Sequence, residues 1–312
     1  MSMIQKISVD NSNSLKGITA IMVVIHHIAQ STLHLKYLTF FFWIGNITVG
    51  LFFFLSAYGL AIQIGKHEDY LNNFWNKRIH KLLIPFLVTN VFFILFEVLF
   101  NHKSYTFIKY IYYFTGLKLI DPFAWYIPVI FLLYFSFWFS FKFFKKRLLQ
   151  FGFIFFVIFL YIVHEVLNHH SGFVSIFCFP LGVFYAQNVG KKIKLNDTTL
   201  GFFFLVLFVI LFYLTTQLQN FNTVKFLLIG IFLCFTYVLA IVFFTNKWSI
   251  KNKVFLFLGN ISLEIYLIHG IFTSYLLREN EILAVAVVVP LSILAAYVIQ
   301  KIDNQIEKFL FK

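Results

Sequence analysis

The chain has 312 residues, of which 61% are hydrophobic and 12% charged. A soluble core of this size cannot hide so much apolar surface, so a water-soluble globular protein is excluded and much of the chain must face lipid. The net charge of +13 suggests an acidic partner, but its distribution along the chain accounts for it without nucleic acid.

Apolar runs near the length of a bilayer span, about 20 residues, recur from end to end. A segment that crosses the membrane must satisfy its own backbone hydrogen bonds, and runs this long do so as helices rather than as short alternating strands. In chain order they predict an all-α, polytopic transmembrane helix bundle of about ten spans. These lie near residues 17–33, 46–64, 82–101, 123–144, 148–166, 172–189, 199–217, 224–245, 254–276 and 282–301. With both termini cytoplasmic, the inner segments carry Lys6, Lys16, Lys66, Lys77, Arg78, Lys81, Lys142, Lys145, Lys146, Arg147, Lys191, Lys192, Lys194, Lys247, Lys251, Lys253, Lys301, Lys308 and Lys312. The outer segments keep Lys36, Lys103, Lys109, Lys118, Lys225 and Arg278. Nineteen of the 25 basic residues thus fall inside, which is the positive-inside pattern. The charge is topological, and no nucleic-acid partner is expected. The 47 Phe residues suit lipid-facing and helix-packing surfaces.

The first run could be mistaken for a secretory leader with Ala29-Gln30-Ser31 as its cleavage site. His26 and His27 inside the apolar region, and the spans that follow, argue against it. Cys178 and Cys234 both fall in apolar runs and read as buried small hydrophobes. No zinc spacing and no disulfide framework is visible. The longest polar stretch, residues 65–81, is too short to fold alone, and neither an internal repeat nor a flexible linker is present. A single membrane domain over residues 1–312 is expected, with short loops and antiparallel neighbours. Residues 101–122, rich in Tyr, are expected along the outer interface.

The first span carries the clearest chemical signal. Lys16 and His27 are eleven positions apart, which is about 16–17 Å of helix axis, and the two return to within about 20° of one face. Lys16 therefore sits at the inner surface with His27 above it in the outer half. An ionisable group at such depth is expensive and usually lines a cavity. Imidazole is also the side chain best suited to take a proton from a hydroxyl near neutral pH. The neighbouring His26 points about 100° away round the helix and reads as structural. Late in the chain Ser262, Tyr266 and His269 share one helix face at i, i+4 and i+7, with His269 at a depth comparable to His27. Glu264 lies about 160° from Tyr266 and faces another neighbour.

The first span and four further segments, the one with Ser262, Tyr266 and His269 among them, resemble the acyltransferase-3 family of integral membrane acyltransferases. Members place a basic residue, ten intervening residues and a His in the first span, as Lys16 and His27 do. Residues 49–59 (VGLFFFLSAYG) are similar to the family's second span, and 74–85 (FWNKRIHKLLIP) to its basic inner loop. Residues 124–128 (AWYIP) are similar to its Trp-Phe-Leu-Pro-like step, and 258–269 (LGNISLEIYLIH) to its late Tyr-Leu-Ile-His segment. Three departures stand out: Lys16 where members carry Arg, Gly50 where they carry Asp, and Ala57 where they carry Gly.

The resemblance implies a polytopic enzyme of a bacterial plasma membrane. It implies O-acyl transfer, most simply of acetyl, from cytoplasmic acetyl-CoA to a hydroxyl of a cell-surface polysaccharide or its lipid-linked precursor. His27 would be catalytic. Lys16, Lys77, Arg78 and Lys81 would bind the donor, whose diphosphate and ribose phosphate suit clustered cations on the inner side. His269, Tyr266, Trp125 and Ser56 are the candidate acceptor contacts, with a hydrogen bond inside the bundle the alternative for His269 and the interfacial aromatic belt the alternative for Trp125. No metal is expected, although His164, His169 and His170 near the outer surface raise the question of one. The bilayer is the remaining partner, and the oligomeric state is left open. The competing reading is a transporter or flippase of a polar lipid or sugar, in which buried His and Glu serve proton coupling.

Overall fold

The computed structural model describes residues 2–167, 172–217, 223–275 and 279–310. His169, His170, Arg278 and Lys312 lie outside the described residues, as does the side chain of Lys225.

Among the described residues the regular structure is helical apart from one short antiparallel pair, β1 (Ser2–Met3) with β2 (Lys192–Ile193). The first three long helices are α1 (Val9–Ser31), α2 (Thr39–Ile64) and α3 (Phe74–Asn101). A short helix α4 (Phe107–Thr115) and a 3-10 turn (Pro122–Trp125) lead into α5 (Tyr126–Phe143) and α6 (Arg147–Leu167). Then come α7 (Cys178–Gln187), α8 (Asp197–Gln217), α9 (Thr223–Lys247), α10 (Lys253–Asn260), α11 (Ser262–Tyr275) and α12 (Glu281–Leu310).

Among the described residues seven helices are long and apolar enough to cross a membrane, or eight if the pair α10 and α11 makes one span. About ten were expected. The helix α1, with 23 residues, is about 35 Å long, but its polar side chains keep it out of that set. The run over 172–189 forms a 3-10 segment and then α7, whose ten residues reach only about 15 Å. The run over 254–276 is not one straight helix either, since α10 and α11 meet at Ile261 with a bend of 74°. The Ser262 hydroxyl donates to the Gly259 carbonyl at 2.9 Å across this break.

The bend accompanies a glycine crossing. α1 packs against α10, and a Cβ on Gly259 would lie 2.0 Å from the Asn13 carbonyl oxygen. A Cβ on Gly17 would lie 2.6 Å from the Gly259 nitrogen. Only glycine at both positions allows the two backbones this close.

α2 is the central helix, with 61% of its apolar stretch buried, against 17% in α6 and 11% in α8. Those last two therefore present mostly apolar side chains outward, as lipid-facing helices do. α4 has no buried residue, and at nine residues it is too short to span a bilayer. Its end is set by Gly116, whose φ of +73° suits the left-handed cap. On the same side of the bundle the Glu281 carboxylate at the start of α12 accepts the backbone N–H groups of Lys36 and Leu38 at 2.8 and 2.9 Å, and that of Tyr37. It thereby ties down the connection between α1 and α2.

Candidate active site

α1 holds the two ends of the site. Ser8 caps it by accepting the Asn11 N–H at 3.0 Å, and the helix runs unbroken past both Lys16 and His27.

At the inner end Lys16 joins Arg78 and Lys81 of α3 around a cavity of about 170 Å³. Its other walls are Phe52 and Ser56 of α2, Leu82 of α3, Tyr126 and Tyr134 of α5, and Ser262, Leu263 and Tyr266 of α11. Arg78 is held in place. Its guanidinium donates to the Tyr70 hydroxyl at 2.6 Å and lies 5.9 Å from the Phe74 ring and 5.8 Å from the Tyr134 ring. Lys77 stands outside this lining, exposed, with its ammonium 5.8 Å from the Tyr70 ring. The cavity is thus flanked by three cations and backed by aromatic rings, a combination suited to a phosphorylated ligand with a long organic arm.

At the outer end three imidazoles converge. His27 lies 4.8 Å from His26 and 5.1 Å from His269, centroid to centroid, and stacks on Phe123 at 4.0 Å. His27 Nδ1 is 3.1 Å from Gln30 Oε1. His269 is fully buried, and its Nδ1 donates to the Tyr266 carbonyl at 2.7 Å. Its Nε2 is therefore a buried lone pair, and it has no hydrogen-bond partner among the described residues. A buried acceptor left without a partner costs about 1–3 kcal/mol in a folded interior. His26 is held from the side of α2. Its Nδ1 donates to the Phe41 carbonyl at 2.8 Å, and its ring fills the space beside Gly45, where a Cβ would lie 2.0 Å from it.

Tyr266 separates the two ends. Its ring lines the cavity and lies 6.0 Å from His269. Its hydroxyl donates to the Phe123 carbonyl and accepts the Tyr126 N–H at 3.3 Å. The same Phe123 stacks on His27, so Tyr266 links the inner cavity to the imidazoles through the turn before α5. Asp121 caps that turn by accepting the Phe123 N–H at 3.0 Å, and burial pushes its carboxyl up to about 7. Ser56 pairs with the Tyr126 hydroxyl at 3.2 Å. Trp125 is half-buried, 6.2 Å from the Phe53 ring and outside the imidazole cluster.

Residues 9–301 match the acyltransferase-3 family, described as an acyltransferase domain. The chain belongs to this family. Neither the curated proteins nor the solved structures gave a match. The membership makes the chain a membrane acyltransferase, and an acyl donor and some acceptor follow from that.

In this acyltransferase Gly50 does not face His27. A Cβ there would lie 2.9 Å from Cys178 Sγ and 3.7 Å from Cys234 Cβ. The two buried thiols occupy the space into which a larger residue at position 50 would project, and a carboxylate there would point away from the imidazoles. Glu264 is buried near Asp303 and Glu307 of α12, away from Tyr266 as its angle on the helix requires. His164 lies 3.3 Å from Glu165. Among the described residues no group of three or more His, Cys, Asp or Glu is placed to hold a metal ion. Gln30, Phe123 and Tyr134 were not singled out from the sequence. Gln30 stands three residues after His27, which is a local signal, whereas Phe123 and Tyr134 carry none.

Proposed function

We propose that this acyltransferase moves an acyl group, most simply acetyl, from cytoplasmic acetyl-CoA to a hydroxyl of a cell-surface polysaccharide or its lipid-linked precursor, in a bacterial plasma membrane. The observation that carries this reading is the cationic cavity on one side of Tyr266 and the imidazole cluster on the other. The cationic end, both termini and residues 65–81 are cytoplasmic in this reading, in keeping with the charge distribution.

Lys16, Arg78 and Lys81 hold the donor phosphates, with Lys77 adding charge at the rim. The acyl arm passes Tyr266 toward the outer half. His27 accepts the proton of the acceptor hydroxyl as its oxygen attacks the thioester carbonyl. The carbon–sulfur bond then breaks, and the thiolate leaves with a proton returned from the His27 imidazolium. His269 Nε2 accepts a hydrogen bond from a second hydroxyl of the acceptor, which satisfies its buried lone pair. Ser56, in the cavity wall, holds the Tyr126 hydroxyl, and Trp125 flanks the acceptor side from the turn before α5.

A second reading, transport of a polar lipid or sugar, draws on the break at Ile261, because discontinuous helices line many transport sites. Mass spectrometry of the surface glycan with and without the chain separates the two. Loss of the acyl mass on an intact, exported glycan is the expected result. Lost export of an otherwise normal glycan would overturn the acyl-transfer reading.

A further inference from the structure

We infer that Gln30 is the positioning residue of His27: its side-chain carbonyl holds the Nδ1 proton, so that Nε2 is kept as the free lone pair that meets the acceptor hydroxyl. The inference rests on the general-base reading of His27 above.

An imidazole base works through one nitrogen, and the hydrogen bond made by the other decides which one that is. His27 Nδ1 lies 3.1 Å from Gln30 Oε1, three residues on, where side chains of one helix meet. Phe123 stacks on the ring at 4.0 Å with an interplanar angle of 30° and fixes its plane, and the Nδ1 contact with Gln30 selects which way round the ring sits in that plane. Among the described residues no carboxylate lies within ion-pair distance of His27. The position where other family members carry Asp is Gly50, and it faces Cys178 and Cys234 instead. Gln30 is therefore the group that orients this ring.

A neutral amide has a chemical consequence. It fixes the tautomer but adds no negative charge, so the imidazolium formed during the reaction is stabilised less than it would be beside a carboxylate. Such a base releases its proton readily to the departing thiolate. The titratable groups facing His27 are His26 on its own helix at 4.8 Å and His269 from α11 at 5.1 Å. Neither supplies a negative charge.

Gln30 is exposed at the outer end of α1, so substitutions there leave the buried packing in place. In a reconstituted acyl-CoA assay Gln30→Met should lower kcat by about 10-fold or more, with the donor KM and protein abundance unchanged. Gln30→Glu should restore turnover and move the acidic limb of the pH–kcat profile upward by about half a unit to one unit, because a carboxylate on Nδ1 favours the protonated ring, damped by its exposure. An unshifted limb would mean that the side chain at position 30 does not meet Nδ1. Gln30→Met with wild-type kcat, or Gln30→Glu with an unshifted limb, would overturn the inference. His27→Gln assayed alongside separates the two levels. If it is inactive while the Gln30 variants behave normally, only the positioning role fails; if it retains turnover, the base reading fails with it.

Discussion

Gly259→Ala tests whether the crossing of α1 and α10 sets the donor cavity. The added Cβ would lie 2.0 Å from the Asn13 carbonyl oxygen and 2.6 Å from its carbonyl carbon. Both are backbone atoms of α1 and cannot rotate aside. Ordinary contact begins at 3.4 Å, so the helices must part by about 1.4 Å. Overpacking of this kind costs about 1–3 kcal/mol. The displacement reaches the site directly. Lys16 lies one helical turn beyond Asn13, Ser262 and Leu263 lie just beyond Gly259, and all three line the cavity. A misplacement of about 1 Å in a reacting geometry costs on the order of 10²-fold. The expected result is a raised KM for acyl-CoA, a kcat/KM lowered by about 10²-fold, and a lower melting temperature in detergent. Gly59→Ala is the control, because a Cβ there meets nothing within 4 Å. It should leave the kinetics unchanged, and alanine is the better helix former by about 1 kcal/mol. A Gly259→Ala protein with wild-type KM and wild-type stability would refute the argument.

Three other predictions follow from the same geometry. His27→Gln should lower kcat by about 10²–10⁴-fold while the protein remains inserted and abundant, measured by single-turnover acyl transfer. Arg78→Ala with Lys81→Ala should raise the KM for acyl-CoA, because each charge-assisted hydrogen bond to a phosphate contributes about 1.5–3 kcal/mol. Lys77→Ala, outside the cavity, should change it far less; equal effects would contradict the cavity as the donor site. With Cys178 and Cys234 replaced, single cysteines placed within residues 65–73 and 102–106 should differ toward an impermeant thiol reagent added from outside. The second should be labelled and the first protected, and the opposite pattern would invert the proposed direction of transfer.

Much of this arrangement was legible along the chain. Composition alone requires a membrane protein, and the ladder of basic residues proposes its orientation. The spacing from Lys16 to His27 places a cation and an imidazole at opposite ends of one helix face, because the helical period fixes relations within a helix. The same reasoning put Ser262, Tyr266 and His269 on one face, and in α11 they remain together. His26 was separable from His27 on angle alone.

What period and spacing cannot supply is the partner across a helix interface. The sequence alone does not bring His269 to His27, place Phe123 between the cavity and the base, or turn Gly50 toward two thiols. It also read residues 254–276 as one span, because apolar composition continues across Ile261 without a proline to interrupt it. The break accompanies two glycines in different helices, Gly17 and Gly259, whose missing side chains let α1 and α10 cross with their backbones touching. Lys77 illustrates the same limit from the other side. Its spacing matches Lys81, yet the neighbours of α3 bring Arg78 and Lys81 to the cavity and leave Lys77 over Tyr70. Composition and period determine which segments are helical and which of their faces are polar. Close packing between residues distant in the chain decides which of those faces meet, and only that packing assembles the site.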